Sequence, residues 1–212
     1  MNAVSNSAPA ASPPPDDAFV PRPLPRSDLS APEMGEARRA LTLLLTRAEP
    51  WPAVVVDRLW NVVAANDAAR RLYGLMLGEA RLARPLNHMK MYLAPDELKR
   101  FVVNWPAVAR SLLERARARA LAAPEDDALQ ALVAELAGYP DIAALADDDR
   151  IPPGALCEIR FASQNREIGL ISTSAAFVAP LDETLRELRI ETFLPSDDES
   201  DDILRAMAGW SA

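Results

Sequence analysis

A chain of 212 residues, 50% of them hydrophobic, has room for one ordinary domain with a sizeable core plus a tail. Its formal net charge of −8 and pI of about 4.8 make it a poor candidate for gripping phosphate backbones. A single cysteine, Cys157, excludes an internal disulfide framework and fits a reducing compartment, and no apolar run approaches the roughly 20 residues that span a bilayer.

Residues 1 to about 32 hold eight of the 19 prolines together with Ala, Ser and Asp. Such a segment buries too little apolar surface to offset its ordering entropy, so a disordered or extended tail is expected. It lacks the basic and apolar regions of a secretory signal, and a soluble cytoplasmic protein is the expected setting. Order begins at "SAPEMGEARRALTLLLTRAEP". Ser30 and Glu33 have capping-box spacing, and Pro32 suits a first helical turn. Ala37, Leu41, Leu44, Leu45 and Ala48 form one apolar stripe, and Glu49-Pro50 stops the helix.

In "WPAVVVDRLWNVVAANDAARRLYG" two β-branched runs join around Asp57-Arg58 as a hairpin. A short helix follows, with Asn66 or Asp67 as its cap and Gly74 as its stop. A strand pair feeding directly into short helices is how PAS-type sensor domains begin. The middle of the chain is helical. A short helix is expected after Pro95, then a longer one in "PAVARSLLERARARALA". There Val108, Leu112 and Leu113 face inward and Arg110, Arg117 and Arg119 largely outward. That arginine cluster reads as a solvated face balanced by Glu114 in preference to a nucleic-acid contact. "PEDDALQALVAELAG" is the clearest helix, with acids in its first turn, a stripe of Leu129, Leu132, Val133 and Leu136, and Gly138 as C-cap. "ADDDRIPPG" reads as a loop.

The last third switches to period two. Ala155, Cys157, Ile159 and Phe161 share one face of a strand, with Leu156, Glu158 and Arg160 on the other. Gln164-Asn165 marks the turn, and Ile168, Leu170 and Ser172 return. A third strand carries Leu188, Ile190, Thr192 and Leu194, and "PSDDES" starts a closing helix. The expected class is α+β: a five-stranded antiparallel sheet, strands in the order two, helices, three, with helices packed on one face.

Three blocks carry a family resemblance: "EPWPAVVVDRLWNVVAAN", "RFVVNWPAVARSLLERARA" and "STSAAFVAPLDETLRELRIETFLPSDDES". They resemble, in order, the ligand-binding domain of MmyB-like transcription regulators, from about Phe19 to Met207. The resemblance implies a PAS-like fold that holds a small lipophilic molecule, with a fatty acid as leading candidate. In that family the domain normally follows a helix-turn-helix. Here about 30 Pro/Ala-rich residues precede the linker helix, so a sensor half without its own DNA-binding domain is expected. The expected organisation is a tail over 1–32, then a linker helix plus PAS-like domain over 33–212. Its expected partners are the lipophilic ligand and either a second copy or a partner regulator, with no membrane and no direct nucleic-acid contact.

No catalytic set is legible. His88 is the only histidine, and a structural or surface role is preferred for it over haem or metal ligation. The serines of "STSAA" lack a nucleophile-elbow frame, and no phosphate-cradling glycine loop is present. Neither an enzyme nor a metal centre is expected, and no cofactor beyond a fatty-acid ligand. The expected pocket wall is Trp60, Tyr73, Met76, Met89, Met91, Phe101, Trp105, Leu112, Leu170 and Phe177, since ligand pockets are mostly apolar and methionines adapt to irregular ligands. Any of these side chains can equally be plain core. Asn66, Asn87 and Asn104 are candidate headgroup contacts, with cap or turn roles as the alternative. Arg160 either pairs a carboxylate or points outward to Glu158 or Glu167. An acyl chain is expected along Met91, Phe101, Trp105, Leu112 and Phe177. The competing reading is an interaction module filled by its own side chains. A cavity above about 300 Å³ favours the ligand.

Overall fold

A computed structural model describes residues 24–145, 157–163 and 166–209 of the chain. Among these, α1 (Gly35–Ala48) leads into a hairpin of β1 (Ala53–Val56) and β2 (Val62–Ala65). The helical middle follows: α2 (Asp67–Leu77), α3 (Glu79–Leu82), α4 (His88–Leu93), α5 (Trp105–Ala122), α6 (Asp127–Ala137) and α7 (Pro140–Ala143). Then come β3 (Glu158–Ser163), β4 (Arg166–Ala175), α8 (Glu183–Glu187), β5 (Arg189–Pro195) and α9 (Asp198–Met207). The expected "ADDDRIPPG" loop, the positions of Ala155 and Leu156, the Gln164-Asn165 turn and the first 23 residues lie outside the described residues.

The five strands form one sheet in the order β2-β1-β5-β4-β3. Every neighbouring pair is antiparallel. The α+β class is therefore as expected, and the arrangement is consistent with a PAS-like domain. β5 sits in the centre, inserted between β1 and β4, so the last strand joins the early hairpin to the late one.

Side-chain alternation divides the sheet into two faces. β1 is buried throughout. Val54 and Val56 face the main core, and Ala53 and Val55 face a second cluster. β5 repeats this, with Phe193 in the main core and Ile190, together with Leu188 just before the strand, in the second. The pairs Val54–Glu191 and Val55–Ile190 keep the two faces in register across the strands. Helices α2 and α4 to α6 cover the main face, where Leu72, Met89, Met91, Leu112 and Leu136 pack on Ile159, Phe161 and Leu170. The linker helix α1 covers the opposite face through Leu41 and Leu45. Both sheet faces are thus occupied, because the all-apolar β1 leaves no solvated side.

Local chemistry explains several departures from expectation. The Ser30–Glu33 capping box does not form. The Ser30 hydroxyl donates instead to Asp28 at 2.6 Å, and a 3₁₀ turn over Pro32–Met34 starts without a side-chain cap. Leu44 leaves the expected stripe and is 47% exposed, since the buried stripe of α1 is as narrow as Leu41 and Leu45. Gly74 does not stop α2. The helix runs on to Leu77 and ends at Gly78, whose φ of 81° disfavours any side chain. After Pro95 the chain makes only a 3₁₀ helix, Leu98–Phe101.

Residues 24–31, placed in the tail by composition, are tied to α8. Arg26 donates to both carboxylate oxygens of Glu187 at 2.8 and 2.6 Å. The Ser27 amide donates to Asp182 at 3.0 Å, and the Thr184 hydroxyl donates to the Ser27 carbonyl at 2.8 Å. Specific hydrogen bonds, together with Leu29 packed half-buried against the second cluster, hold this stretch, which composition alone does not register.

β4 passes close to the start of α9 at Gly169. Its amide donates to the Ser200 hydroxyl at 2.9 Å, and its carbonyl accepts from the Ser196 amide at 2.9 Å. A Cβ at 169 would meet Ser196 Oγ at 2.1 Å and Glu158 Oε1 at 2.5 Å. Gly169→Ala should therefore destabilise the domain by about 1–3 kcal/mol, the usual cost of overpacking, measurable by urea denaturation.

Candidate ligand-binding site

Between α5 and the main face of the sheet lies a cavity of about 170 Å³. α5 presents Val108, Ser111, Leu112 and Arg115 to it, positions spaced i, i+3, i+4 and i+7, so they form one helical stripe. The sheet supplies Cys157, Ile159, Ser172, Glu191 and Phe193, and α4 supplies His88 and Tyr92. The cavity wall is of mixed polarity: Val108, Leu112, Ile159 and Phe193 are apolar, and His88, Ser111, Arg115, Ser172 and Glu191 supply polar groups.

The His88–Glu191–Arg115 cluster is built by the fold. Asn87 caps α4, accepting from the Lys90 amide at 3.1 Å and donating to the Leu59 carbonyl at 2.7 Å. The His88 amide donates to the Trp60 carbonyl at 2.7 Å. The hairpin turn therefore sets where the imidazole stands. Trp60 itself has φ 59°, a left-handed conformation uncommon for a bulky residue. Its ring lies 5.9 Å from the Arg115 guanidinium and 5.1 Å from that of Arg119. The His88 ring meets Tyr92 and Phe193 edge-on, at centroid separations of 5.1 and 5.6 Å.

Glu191 is 2% exposed, and Arg115 donates to its Oε1 at 2.6 Å. His88 Nδ1 stands 3.0 Å from Oε2. Those two atoms attract each other without hydrogen-bond alignment, and Nε2, on the other side of the ring, has no hydrogen-bond partner. Burial on its own would push the Glu191 carboxyl up. The neighbouring His88 and the Arg115 guanidinium outweigh it and bring the group down to about 2. A buried, ionised carboxylate thus sits on the cavity wall. The nearby Cys157 thiol is pushed up, mainly by burial, which removes the thiolate character a reactive cysteine needs.

The residues predicted as pocket wall do not converge on one space. Leu112 lines the 170 Å³ cavity. Tyr73 lines a separate cavity of about 440 Å³ between β2, α2 and α3. Phe177 lines a third, of about 580 Å³, between α1 and the stretch before α8. Phe177 belongs to the cluster on the far face, so the sheet separates it from Met91, Phe101, Trp105 and Leu112. The continuous acyl track expected through those five residues is interrupted there. Trp60, Met76, Met89, Met91, Trp105 and Leu170 are buried core, and Phe101 packs half-buried against it.

The polar candidates are spoken for within the chain. Asn66 accepts from the Ala53 and Ala69 amides at 2.9 Å each and donates to the Trp51 and Leu45 carbonyls. Asn104 ties α5 to β3, donating to the Glu158 carbonyl at 2.8 Å and accepting from the Arg160 amide at 3.0 Å. Arg160 points outward, 3.9 Å from Glu158 and 3.8 Å from Glu167.

Glu191, Arg115, Ser172 and Phe193 were missed from the sequence. The signal was present in "RIETF": once Leu188 and Ile190 occupy one face of β5, Glu191 and Phe193 must share the other. Among the described residues no cluster of His, Cys, Asp or Glu is arranged to hold a metal ion, and no helix is long and apolar enough to cross a membrane.

The described residues thus form an antiparallel five-stranded sheet with helices over a small cavity of mixed polarity. A family model described as the MmyB-like transcription regulator ligand binding domain matches residues 37–207. The chain belongs to that family. No curated protein matches the sequence.

Proposed function

We propose that this domain is the sensory part of a bacterial transcription regulator system. It binds a small, fatty-acid-like amphiphile between α5 and the sheet, in the cytoplasm, and passes the signal on through a second copy or a partner regulator. The observation that carries this reading is the cavity between α5 and β3–β5, with its wall of mixed polarity and the buried His88–Glu191–Arg115 cluster on it. Buried polar groups are normally satisfied, and the unpartnered Nε2 of His88, a residue of this wall, supports a ligand group there. Membership in a regulator ligand-binding family supports the same conclusion and argues against catalysis. Apolar side chains at the surface of α1 and before α8, Leu43 at 55% and Leu181 at 82% exposure, support signalling through protein contact. The acidic charge argues against the domain itself holding DNA.

One observation favours the second reading, an interaction module with a filled core. A space of about 170 Å³ is smaller than the roughly 300 Å³ at which ligand pockets begin. It admits one end of an amphiphile and not a whole long chain. A chain-length series decides the matter. Straight-chain acids and alcohols from hexyl to tetradecyl should be added to the purified protein and its melting followed. A ligand at about 100 times its Kd contributes about 2.7 kcal/mol, a rise of roughly 5–10 °C for a domain of this size. Leu112→Trp, which adds bulk on the cavity wall, should fold and lose most of that gain. If no member of the series raises the melting temperature and native mass spectrometry finds no co-purified molecule, the interaction-module reading takes over.

A further inference from the structure

Resting on the sensor reading above, we infer that the ligand site has a second chamber, and that Tyr73 and Tyr92 form the partition that sets how long a chain the domain accepts. The inner chamber is the cavity of about 170 Å³ between α5 and the sheet. The outer chamber is the cavity of about 440 Å³ between β2, α2 and α3.

The two chambers stand back to back over the main face of the sheet. Val54 lines the outer one and Glu191 the inner one. These residues are direct cross-strand partners in β1 and β5, and side chains so paired stand about 5 Å apart at Cβ. Above that floor two tyrosines make the same step. Tyr73 of α2 lines the outer chamber and Tyr92 of α4 the inner one, and their hydroxyls meet at 3.3 Å. Two independent pairs, one in the sheet and one between helices, therefore place the chambers one side-chain contact apart. The contact between the tyrosines is weak, because O–H···O bonds cluster near about 2.8 Å. The backbone around it is firm. The Tyr92 carbonyl accepts from the Trp105 indole at 2.8 Å, and Asn66 caps α2 by accepting from the Ala69 amide at 2.9 Å. The side chains, not the helices, are thus the parts free to move, and Tyr73 has the outer chamber beside it to swing into. Burial pushes both phenols up, so the partition stays uncharged and an apolar chain can lie against it.

Volume gives the partition its consequence. The inner chamber is below the roughly 300 Å³ at which ligand pockets begin, and the outer one is above it. Val62, Leu82 and Leu86 stand beside Tyr73 on the outer wall, an apolar surface that suits a chain. Each methylene taken out of water there raises affinity about fourfold. With the tyrosines together, that gain stops once the inner chamber is full.

The test is calorimetry on the full chain with hexanoate, octanoate, decanoate and dodecanoate. In the wild type the rise in affinity with length should level off within this series. Tyr73→Ala should extend the rise, so that dodecanoate binds about fifteenfold more tightly than to the wild type, the effect of two more buried methylenes, while hexanoate is unchanged. Adding Leu82→Trp, which refills the outer chamber, should cancel that gain and leave hexanoate unchanged again. A profile that keeps its wild-type shape in Tyr73→Ala overturns the inference and leaves the sensor reading standing. So does a gain that survives Leu82→Trp, because the chain then lies elsewhere, and so does a wild-type rise that continues through twelve carbons. If Tyr73→Ala fails to fold, Tyr73→Leu carries the same comparison. Failure of all four acids in wild type and variants alike, with no response in the melting series, removes the sensor reading itself.

Discussion

Asn66→Ala should cost the domain about 3–5 kcal/mol, the largest effect of any single truncation in the hairpin region. Asn66 is 6% exposed and uses its full hydrogen-bonding capacity. Oδ1 accepts from the Ala53 amide, which opens β1, and from the Ala69 amide, which caps α2. Nδ2 donates to the Trp51 carbonyl at 2.8 Å and the Leu45 carbonyl at 3.3 Å. One side chain therefore binds the end of α1, the entry to the sheet and the start of the next helix. Loss of the cap contributes about 1 kcal/mol. The rest comes from stranded backbone groups, at about 1–3 kcal/mol for each one left buried and unpaired. Asn66→Asp, which keeps the acceptor but not the donor, should cost less than alanine if capping dominates, and as much if the carbonyls dominate. Urea denaturation of both variants measures this. A cost for alanine below about 1 kcal/mol would mean that water replaces the side chain and that the three elements are joined by packing alone.

The same residue shows what a sequence makes legible. Asn66 was readable as a cap, because the signal is local: a short polar side chain placed before a helical stripe. Its bonds to Leu45 and Trp51 depend on the path by which α1 returns to β1, and no local pattern encodes that path. The strands were legible for a related reason. Period-two alternation in "CEIRF" and "LRIETF" fixes a pleat whatever the strands pair with. It does not say which face is which when both are covered. Leu188, just before β5, and Ile190 lie beneath α1, and Glu191 and Phe193 face the main core, so a reading that followed the aliphatic set followed the face away from the cavity. Phe177 was assigned to the pocket for being aromatic in a family block, and it lies across the sheet. Glu191 was overlooked because a carboxylate in a central strand reads as solvated. Its burial is intelligible only with Arg115 and His88 beside it, 76 and 103 positions away in the chain.

Arg115→Met should destabilise the domain by about 3–5 kcal/mol near neutral pH, because it removes one partner of a buried ion pair and keeps the other. Glu191 is 2% exposed, whereas the Arg115 side chain is 38% exposed. The arginine is therefore the partner that can be lost without opening a deep cavity, and the cost falls on the carboxylate. With Arg115 gone, Glu191 has only the poorly aligned His88 at 3.0 Å. The pH dependence identifies the cause. In the wild type the carboxyl is lowered from 4.5 to about 2, so its stabilising contribution is fully present above pH 4.5. It is lost as the pH falls from there towards 2. The shift corresponds to about 3 kcal/mol at most. The gap between wild type and Arg115→Met should therefore narrow over the same interval, as protonation neutralises Glu191 in both proteins. A gap that stays constant from neutral pH to about pH 2 would assign the loss to the contact of the guanidinium with the Trp60 ring. The double variant Arg115→Met/Glu191→Leu should recover most of the stability, since a buried ion pair exchanged for apolar groups of similar volume is commonly neutral or better.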